Sequence, residues 1–214
     1  MLVDIILEGL DMAMTEAINL QHKVGQGISP QQFMERMQVR EMINSGIPNT
    51  VERFLEIYHR FHALDSGRRK MFTSTGERLG LRCLILCTDW CPDVIWNVPV
   101  LFRVMEQCGL PVEVLVMEEH LETMDLFLTD GGRAQPVGVF VDRNGDVLGQ
   151  WGARPAYIQQ VMDDFKASRP DRQSPSYQEQ LNQVYRDIGN LYLDGDRYQD
   201  VILQELDVLF HSFV

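Results

Sequence analysis

A short apolar run that leads, through a cysteine, into an amphipathic segment constrains the fold of this chain more than any other feature. Residues 81–87, Leu-Arg-Cys-Leu-Ile-Leu-Cys, have the length and composition of a buried strand in a parallel sheet. Trp90, Cys91, Pro92 and Asp93 follow, and apolar residues then recur at helical spacing as far as residue 107. The sequence therefore predicts a strand, a turn and a helix in succession, with Cys91 at the start of the helix.

Cys91 has the setting of a reactive thiol. At the start of a helix, the first backbone N–H groups have no partner within the helix, and the helix dipole is positive. Both favour the thiolate, which is the nucleophilic form of cysteine. Asp93 in the first turn complements the same dipole, but its negative charge opposes thiolate formation if it lies near the sulfur. We therefore expect Cys91 to be the nucleophile and Asp93 to tune it.

Further features follow Cys91 in a recognisable order. Pro99 interrupts the predicted helix eight residues after the cysteine. Gln135-Pro136 precedes a predicted pair of strands at 137–151, and Asn144-Gly145 between those strands is a strong hairpin signal. Alternation of strand and helix followed by an antiparallel pair predicts a mixed sheet with helices on both faces.

This arrangement around Trp90-Cys91 resembles the thioredoxin superfamily over roughly residues 76–168. The resemblance implies an α/β fold with a thioredoxin-like mixed β-sheet flanked by helices. It also implies that Pro136 follows a cis peptide bond and that the Gln135 backbone faces the cysteine. Trp90 would lie beside the sulfur as an apolar platform. The resemblance thus implies that Trp90, Gln135 and Pro136 bind the substrate.

One departure from the family pattern changes the expected chemistry. The superfamily usually carries Trp-Cys-x-x-Cys, but Val94 occupies the second cysteine position here. The segment therefore resembles a branch of bacterial thioredoxin-like proteins with a single cysteine and helical extensions on both sides. Cys87 is a candidate resolving thiol only if its Cα lies within about 7 Å of that of Cys91. Cys83, on the same face of its strand, and Cys108 are expected to be packed thiols.

Composition and charge limit the partners. The net charge is −12, from 31 acidic and 19 basic residues, so we expect no nucleic-acid partner. We also expect no membrane partner, since no apolar stretch approaches the ~20 residues of a bilayer span. The first residues do not resemble a signal peptide, and four cysteines then suggest free thiols in the cytoplasm. No His, Cys and carboxylate set predicts a metal site, and no cofactor is expected.

The remaining sequence predicts two helical extensions. Residues 1–75 form the N-terminal extension, 76–168 the thioredoxin-like domain and 169–214 the C-terminal extension. Ser29-Pro30 predicts the start of a helix that continues to about Ile43. The extensions are expected to complete a helical layer over the sheet, and a homodimer formed through them is the alternative. The apolar residues expected to form one face of the first helix are Leu2, Ile5, Ile6, Leu10, Met14, Ala17 and Ile18.

The leading interpretation is a monothiol thiol–disulfide exchange protein, an oxidoreductase that acts on protein or low-molecular-weight disulfides through Cys91. An external thiol, rather than a second cysteine of this chain, would release it. The alternative is a non-catalytic binding or scaffold module that keeps the fold and holds a partner in the cleft around Trp90. A peroxide-reducing thiol is a weaker third interpretation, because Thr88 lacks the Pro-x-x-x-Thr-x-x-Cys context.

Overall fold

A four-stranded mixed sheet forms the centre of the molecule. The computed structural model describes residues 18–213, so the predicted first helix, apart from Ile18, lies outside the described residues. The strands occur in the spatial order β2-β1-β3-β4. Their bounds are β1 Arg82–Cys87, β2 Val112–Val116, β3 Val137–Val141 and β4 Val147–Gly152.

The pairing of the strands confirms the predicted mixed sheet. β1 pairs parallel with β2 and antiparallel with β3, which in turn pairs antiparallel with β4. The β3–β4 hairpin turns at Asn144-Gly145, where Gly145 has φ +84°, a left-handed conformation that glycine adopts without steric cost. The sheet therefore has the α/β architecture that the sequence predicts.

Eight helices surround this sheet within the part of the chain that the structure describes. Short 3₁₀ turns at Gln21–Lys23, Ile43–Ser45, Met117–Glu119 and Asp125–Phe127 connect them. The helices are α1 Pro30–Arg36, α2 Thr50–Arg60, α3 Ser66–Leu79, α4 Pro92–Cys108, α5 Leu121–Met124, α6 Ala156–Ala167, α7 Tyr177–Leu193 and α8 Arg197–His211.

The first helix begins where the sequence predicts and ends earlier. Ser29 caps α1 in a capping box with Gln32, and Pro30 is its first residue. The predicted continuation to Ile43 is wrong, because α1 ends at Arg36 and the chain becomes extended. The backbone N–H of Gln38 donates to the Asp89 carboxylate at 2.7 Å, and the Arg40 guanidinium donates to it at 2.6 Å. These tertiary hydrogen bonds replace those of a longer helix and tie this segment to the loop that precedes Cys91.

Each face of the sheet has its own apolar layer. On one face, Cys83, Ile85 and Cys87 of β1 pack against α4, which is buried along most of its length. On the other face, Leu84 and Leu86 pack under the segment that follows Ile18 and under the residues after β2. Because alternate residues of a strand point to opposite faces, β1 contributes to both layers.

The C-terminal helices complete the layer that contains α4. One apolar face of α8 is buried within this chain, with Ile202, Leu206 and Phe210 fully covered. Phe210 packs against Phe72 of α3 and Phe140 of β3, with ring centroids 4.3 and 5.2 Å apart. A homodimer formed through the extensions stays a prediction. Among residues 18–213, no helix combines the length and apolar character needed to cross a bilayer.

Replacement of Phe210 by alanine tests whether α8 belongs to the core. We expect Phe210→Ala to lower the free energy of unfolding by about 3–5 kcal/mol, because it leaves a cavity between three elements. Val208, which is 73% exposed on the same helix, provides the control, and Val208→Ala should change stability by less than about 0.5 kcal/mol. Urea unfolding followed by tryptophan fluorescence measures both. Equal effects of the two substitutions would show that α8 is not packed as described.

Candidate functional site around Cys91

Cys91 lies at the N-cap of α4, immediately after the loop that follows β1. Its thiol is partly buried and donates to the backbone carbonyl of Gln135, with Sγ and O 3.6 Å apart. The peptide bond from Gln135 to Pro136 is cis. The structure therefore brings Cys91 next to the Gln135-Pro136 pair, which lies more than 40 positions later in the sequence.

Opposing influences act on the pKa of the Cys91 thiol. Burial, and next the negative charge of Asp93, raise the pKa of the Cys91 thiol to about 12. The backbone N–H groups of Val94 and Asp93 and the positive charge of Arg154 lower it. The helix start thus acts on the sulfur in the expected direction, but burial outweighs it.

Asp93 is the centre of a buried polar network rather than a solvated charge of the first turn. Its carboxylate accepts from Arg154 through both oxygens, at 2.8 Å from Nε and 2.7 Å from Nη2. The hydroxyl of Tyr192 donates to the same carboxylate at 3.0 Å. Asn97 donates to the Tyr192 hydroxyl at 2.8 Å and to the carbonyl of Ala153 at 3.0 Å. This network connects α4, the loop after β4 and α7.

Opposing influences also act on the Asp93 carboxyl. Burial raises the pKa of this carboxyl, while the charge and hydrogen bonds of Arg154 and the hydroxyl of Tyr192 lower it. A buried carboxylate needs such partners because an unpaired charge in a protein interior is strongly unfavourable. Asp93 therefore depends on Arg154, and both charges act on Cys91.

Trp90 lies at the surface beside the cysteine. Its side chain is 47% exposed, and its indole N–H donates to the carboxylate of Glu118 at 2.7 Å. This hydrogen bond fixes the ring next to the 3₁₀ turn after β2. Trp90 is therefore available to a ligand and is not a core residue.

A pocket of about 320 Å³ opens next to the sulfur. The turn at Trp90–Pro92 forms one wall, and α7 and the 3₁₀ turn Ile43–Ser45 form the others. Asp93 and Arg154 lie at its boundary, as do the aromatic rings of α7. Most of the lining is apolar, and Cys91 is the cysteine that lines this pocket.

The other three cysteines are buried, and no two of the four form a disulfide. Burial, followed by the charge of Cys91, raises the pKa of the Cys87 thiol well above its usual range. Burial likewise raises the pKa of Cys83 and that of Cys108, the latter to about 11. Cys83 and Cys87 share one face of the sheet, as predicted. The role of Cys87 as a resolving thiol stays a prediction.

Sequence reasoning missed Arg154 and Tyr192, which complete the network around Asp93. One signal was present. Asp93 lies in the first turn of a helix whose following residues are almost all apolar, so a carboxylate there needed a cation from elsewhere in the fold. The sequence could not identify that cation, because Arg154 comes 61 positions later and Tyr192 lies in an extension.

No metal centre accompanies this site. Within residues 18–213, no group of three or more histidine, cysteine, aspartate or glutamate side chains is arranged to hold a metal ion.

Comparison with known proteins identifies the family. The model of a family described as thioredoxin matches residues 29–166. No curated protein matches the chain. Two solved structures are similar to it. The crystal structure of an HIV epitope-scaffold has a TM-score of 0.44 and 18% identity, with 82% of this chain and 96% of that chain covered. A protein of unknown function from Pseudomonas aeruginosa has a TM-score of 0.42 and 17% identity, with 79% and 93% covered.

The matched segment of the family model contains all four strands, the cysteine turn and the cis peptide bond before Pro136. It ends within α6, so α7 and α8 lie beyond it. Because the match extends over more than half of the chain, the protein belongs to the thioredoxin-like superfamily, and its predicted fold class is confirmed.

Proposed function

We propose that this protein is a monothiol thiol–disulfide exchange protein and that Cys91 is its nucleophile. The observation that supports this most directly is the position of the sulfur. It lies at the start of α4, contacts the Gln135 carbonyl beside a cis proline bond and borders an open pocket. Val94 leaves no second cysteine in the turn, so each cycle needs an external thiol.

The exchange consists of two balanced steps. In the first, the Cys91 thiolate attacks one sulfur of a disulfide, forms a mixed disulfide with it and releases the other sulfur as a thiolate. The proton lost from Cys91 is available to that leaving thiolate. In the second, a low-molecular-weight thiol attacks the mixed disulfide and returns Cys91 to its reduced form. The protein undergoes no net oxidation, and one disulfide is exchanged for another.

The substrates in this proposal are disulfides of proteins or small thiols, and the setting is the reducing cytoplasm. Four free cysteines suit that compartment. Trp90 is exposed beside the sulfur and would contact the substrate, while the Gln135 carbonyl and Pro136 would shape the opposite side. Asp93 would tune the thiol through its charge.

A second candidate is a binding module that performs no redox chemistry. The specific observation in its favour is the pKa of Cys91, which burial and Asp93 raise to about 12. At neutral pH a thiol with this pKa is almost entirely protonated and reacts slowly. Such a module would hold a partner in the same pocket and would not need the sulfur.

Exchange with a chromogenic disulfide distinguishes the two candidates. In a protein whose Cys83, Cys87 and Cys108 are replaced by alanine, we expect one thiol equivalent to react and to be released again by added glutathione. Cys91→Ser in the same background should abolish the reaction. Restoring Cys87 alone would reveal a resolving role if the mixed disulfide then disappears without added thiol. A reaction of Cys91 no faster than that of a model thiol of equal pKa would contradict the exchange proposal.

The pH dependence of Cys91 alkylation follows from its raised pKa. Only the thiolate reacts, and below the pKa its fraction rises about tenfold for each pH unit. We therefore expect the alkylation rate in the single-cysteine protein to keep rising from pH 7 to about 10 without levelling off. A plateau near pH 8 or 9 would show that the surroundings do not raise the pKa as described.

Removal of the Asp93 charge and removal of the Arg154 charge should shift the alkylation rate of Cys91 in opposite directions. Asp93→Asn removes a negative charge that raises the pKa of Cys91, so alkylation at pH 8 should become faster, by about tenfold for each unit of pKa lost. Arg154→Gln removes a positive charge that lowers the pKa, so alkylation should become slower. Alkylation in the single-cysteine background, with folding checked by tryptophan fluorescence, measures both.

The exposed carboxylate of Asp125, which pairs with Arg133, provides the matched control. Asp125→Asn should leave the alkylation rate of Cys91 unchanged. If Asp93→Asn and Arg154→Gln both accelerate alkylation, then loss of packing around the sulfur, rather than charge, controls its reactivity.

A further inference from the structure

Residues outside the matched family segment form one wall of the pocket beside Cys91. The family model ends at residue 166, whereas Tyr185, Ile188 and Tyr192 of α7 line the pocket opposite the cysteine turn. The extension therefore changes what can approach the sulfur. Trp90 and α7 both border the pocket that Cys91 lines.

Close contacts with the 3₁₀ turn Ile43–Ser45 and with α4 fix the position of α7. Gly189 lies directly against the 3₁₀ turn, and a Cβ at this position would come within 2.9 Å of the Ser45 carbonyl carbon. The ring of Tyr192 stacks on Trp96 of α4 with centroids 5.3 Å apart and planes 2° from parallel, and its hydroxyl contacts Asp93. The wall is therefore part of the packed structure, and the pocket has a defined width.

The lining favours an apolar ligand. Tyr185 is 37% exposed and Trp90 is 47% exposed, so two large aromatic surfaces border the opening. An ion pair at the boundary, Asp93 with Arg154, is satisfied within the protein by two short hydrogen bonds. Among the described residues that line the pocket, no unpaired cation is present to attract a carboxylate, and the net charge of −12 repels anions.

The size of the pocket limits its occupant. A volume of about 320 Å³ is at the lower end of the ~300–1,000 Å³ range of small-ligand pockets. It has room for one large side chain beside the sulfur. Glutathione disulfide, which carries several carboxylates, does not match the apolar lining.

We propose that this pocket selects peptide disulfides in which a large apolar residue neighbours the cysteine, and that it disfavours glutathione-like anionic disulfides. The inference rests on the proposed exchange at Cys91 and names its substrate class. The apolar side chain enters between Trp90 and Tyr185, while its neighbouring sulfur meets Cys91. In the exchange, Cys91 bonds to the peptide sulfur and the other thiol leaves with the electron pair of the broken S–S bond.

Matched peptide disulfides test this selectivity. The peptides Ac-Phe-Cys-Phe-NH2, Ac-Gly-Cys-Gly-NH2 and Ac-Asp-Cys-Asp-NH2 are each linked to the same leaving thiol, 5-thio-2-nitrobenzoate, whose colour reports release. With each rate divided by that of a free model thiol, we expect the Phe peptide to react at least about tenfold faster than the Gly peptide, a ratio that burial of one phenyl side chain can supply. The Asp peptide should be the slowest.

A variant of the wall separates pocket recognition from general reactivity. Tyr185→Ala should bring the Phe-to-Gly rate ratio to within about threefold of unity. Asp187, exposed on the same helix and not in the pocket lining, provides the control, and Asp187→Ala should keep the full ratio. A ratio near unity in the unmodified protein, or one that survives Tyr185→Ala, overturns the inference.

A binding measurement keeps the two proposals distinguishable. The unreactive peptides Ac-Phe-Ser-Phe-NH2 and Ac-Gly-Ser-Gly-NH2 are titrated against the protein, with tryptophan fluorescence as the signal. We expect the Phe peptide to bind at least about tenfold more tightly, and Tyr185→Ala to remove the difference. If Cys91-dependent exchange is absent but this preference is present, the exchange proposal fails and the apolar pocket stands. If exchange occurs without any preference, only the pocket inference fails.

Discussion

The buried ion pair between Asp93 and Arg154 is the interaction on which the site depends. Asp93 lies in the first turn of α4, in an interior that would not accept its charge alone, and Arg154 reaches it from the loop after β4. Tyr192 adds a hydrogen bond from α7. One carboxylate therefore fixes three separate segments around the cysteine, and loss of either charged partner would leave the other buried and unpaired.

The two charges of this ion pair act in opposite directions on the pKa of the Cys91 thiol. A helix start usually favours the thiolate, and the amides of α4 do lower the pKa of this sulfur. Burial and the nearby carboxylate act more strongly in the opposite direction, while Arg154 compensates part of that charge. The pKa of this thiol thus depends on its burial and on its charged neighbours, and not on the sequence position of the cysteine alone.

Much of the fold could be predicted because it follows from local patterns. The apolar run of β1, the Asn144-Gly145 turn and the Ser29-Pro30 cap each specify structure within a few residues. The end of α1 could not be predicted, since Asp89, far along the chain, supplies the hydrogen bonds that favour an extended segment. The boundaries 76–168 for the central domain stay a prediction.

The candidate site could be predicted in part for the same reason. Cys91 and Pro136 lie in recognisable local sequences, whereas Arg154 and the residues of α7 approach only through tertiary packing. No periodicity connects these positions, and an isolated tyrosine or arginine in a helical region does not reveal its partner. Networks between distant segments are therefore visible only in the folded chain.

The lack of a side chain at Gly189 allows close packing that helps to shape the pocket. A single hydrogen atom in place of a side chain lets α7 rest on the backbone at Ser45, and this contact sets the gap in front of the sulfur. A larger residue there would collide with that backbone, so α7 and the 3₁₀ turn could not keep their present separation. The shape of the pocket that both line is therefore tied to a position that is 98 residues from the cysteine in the sequence.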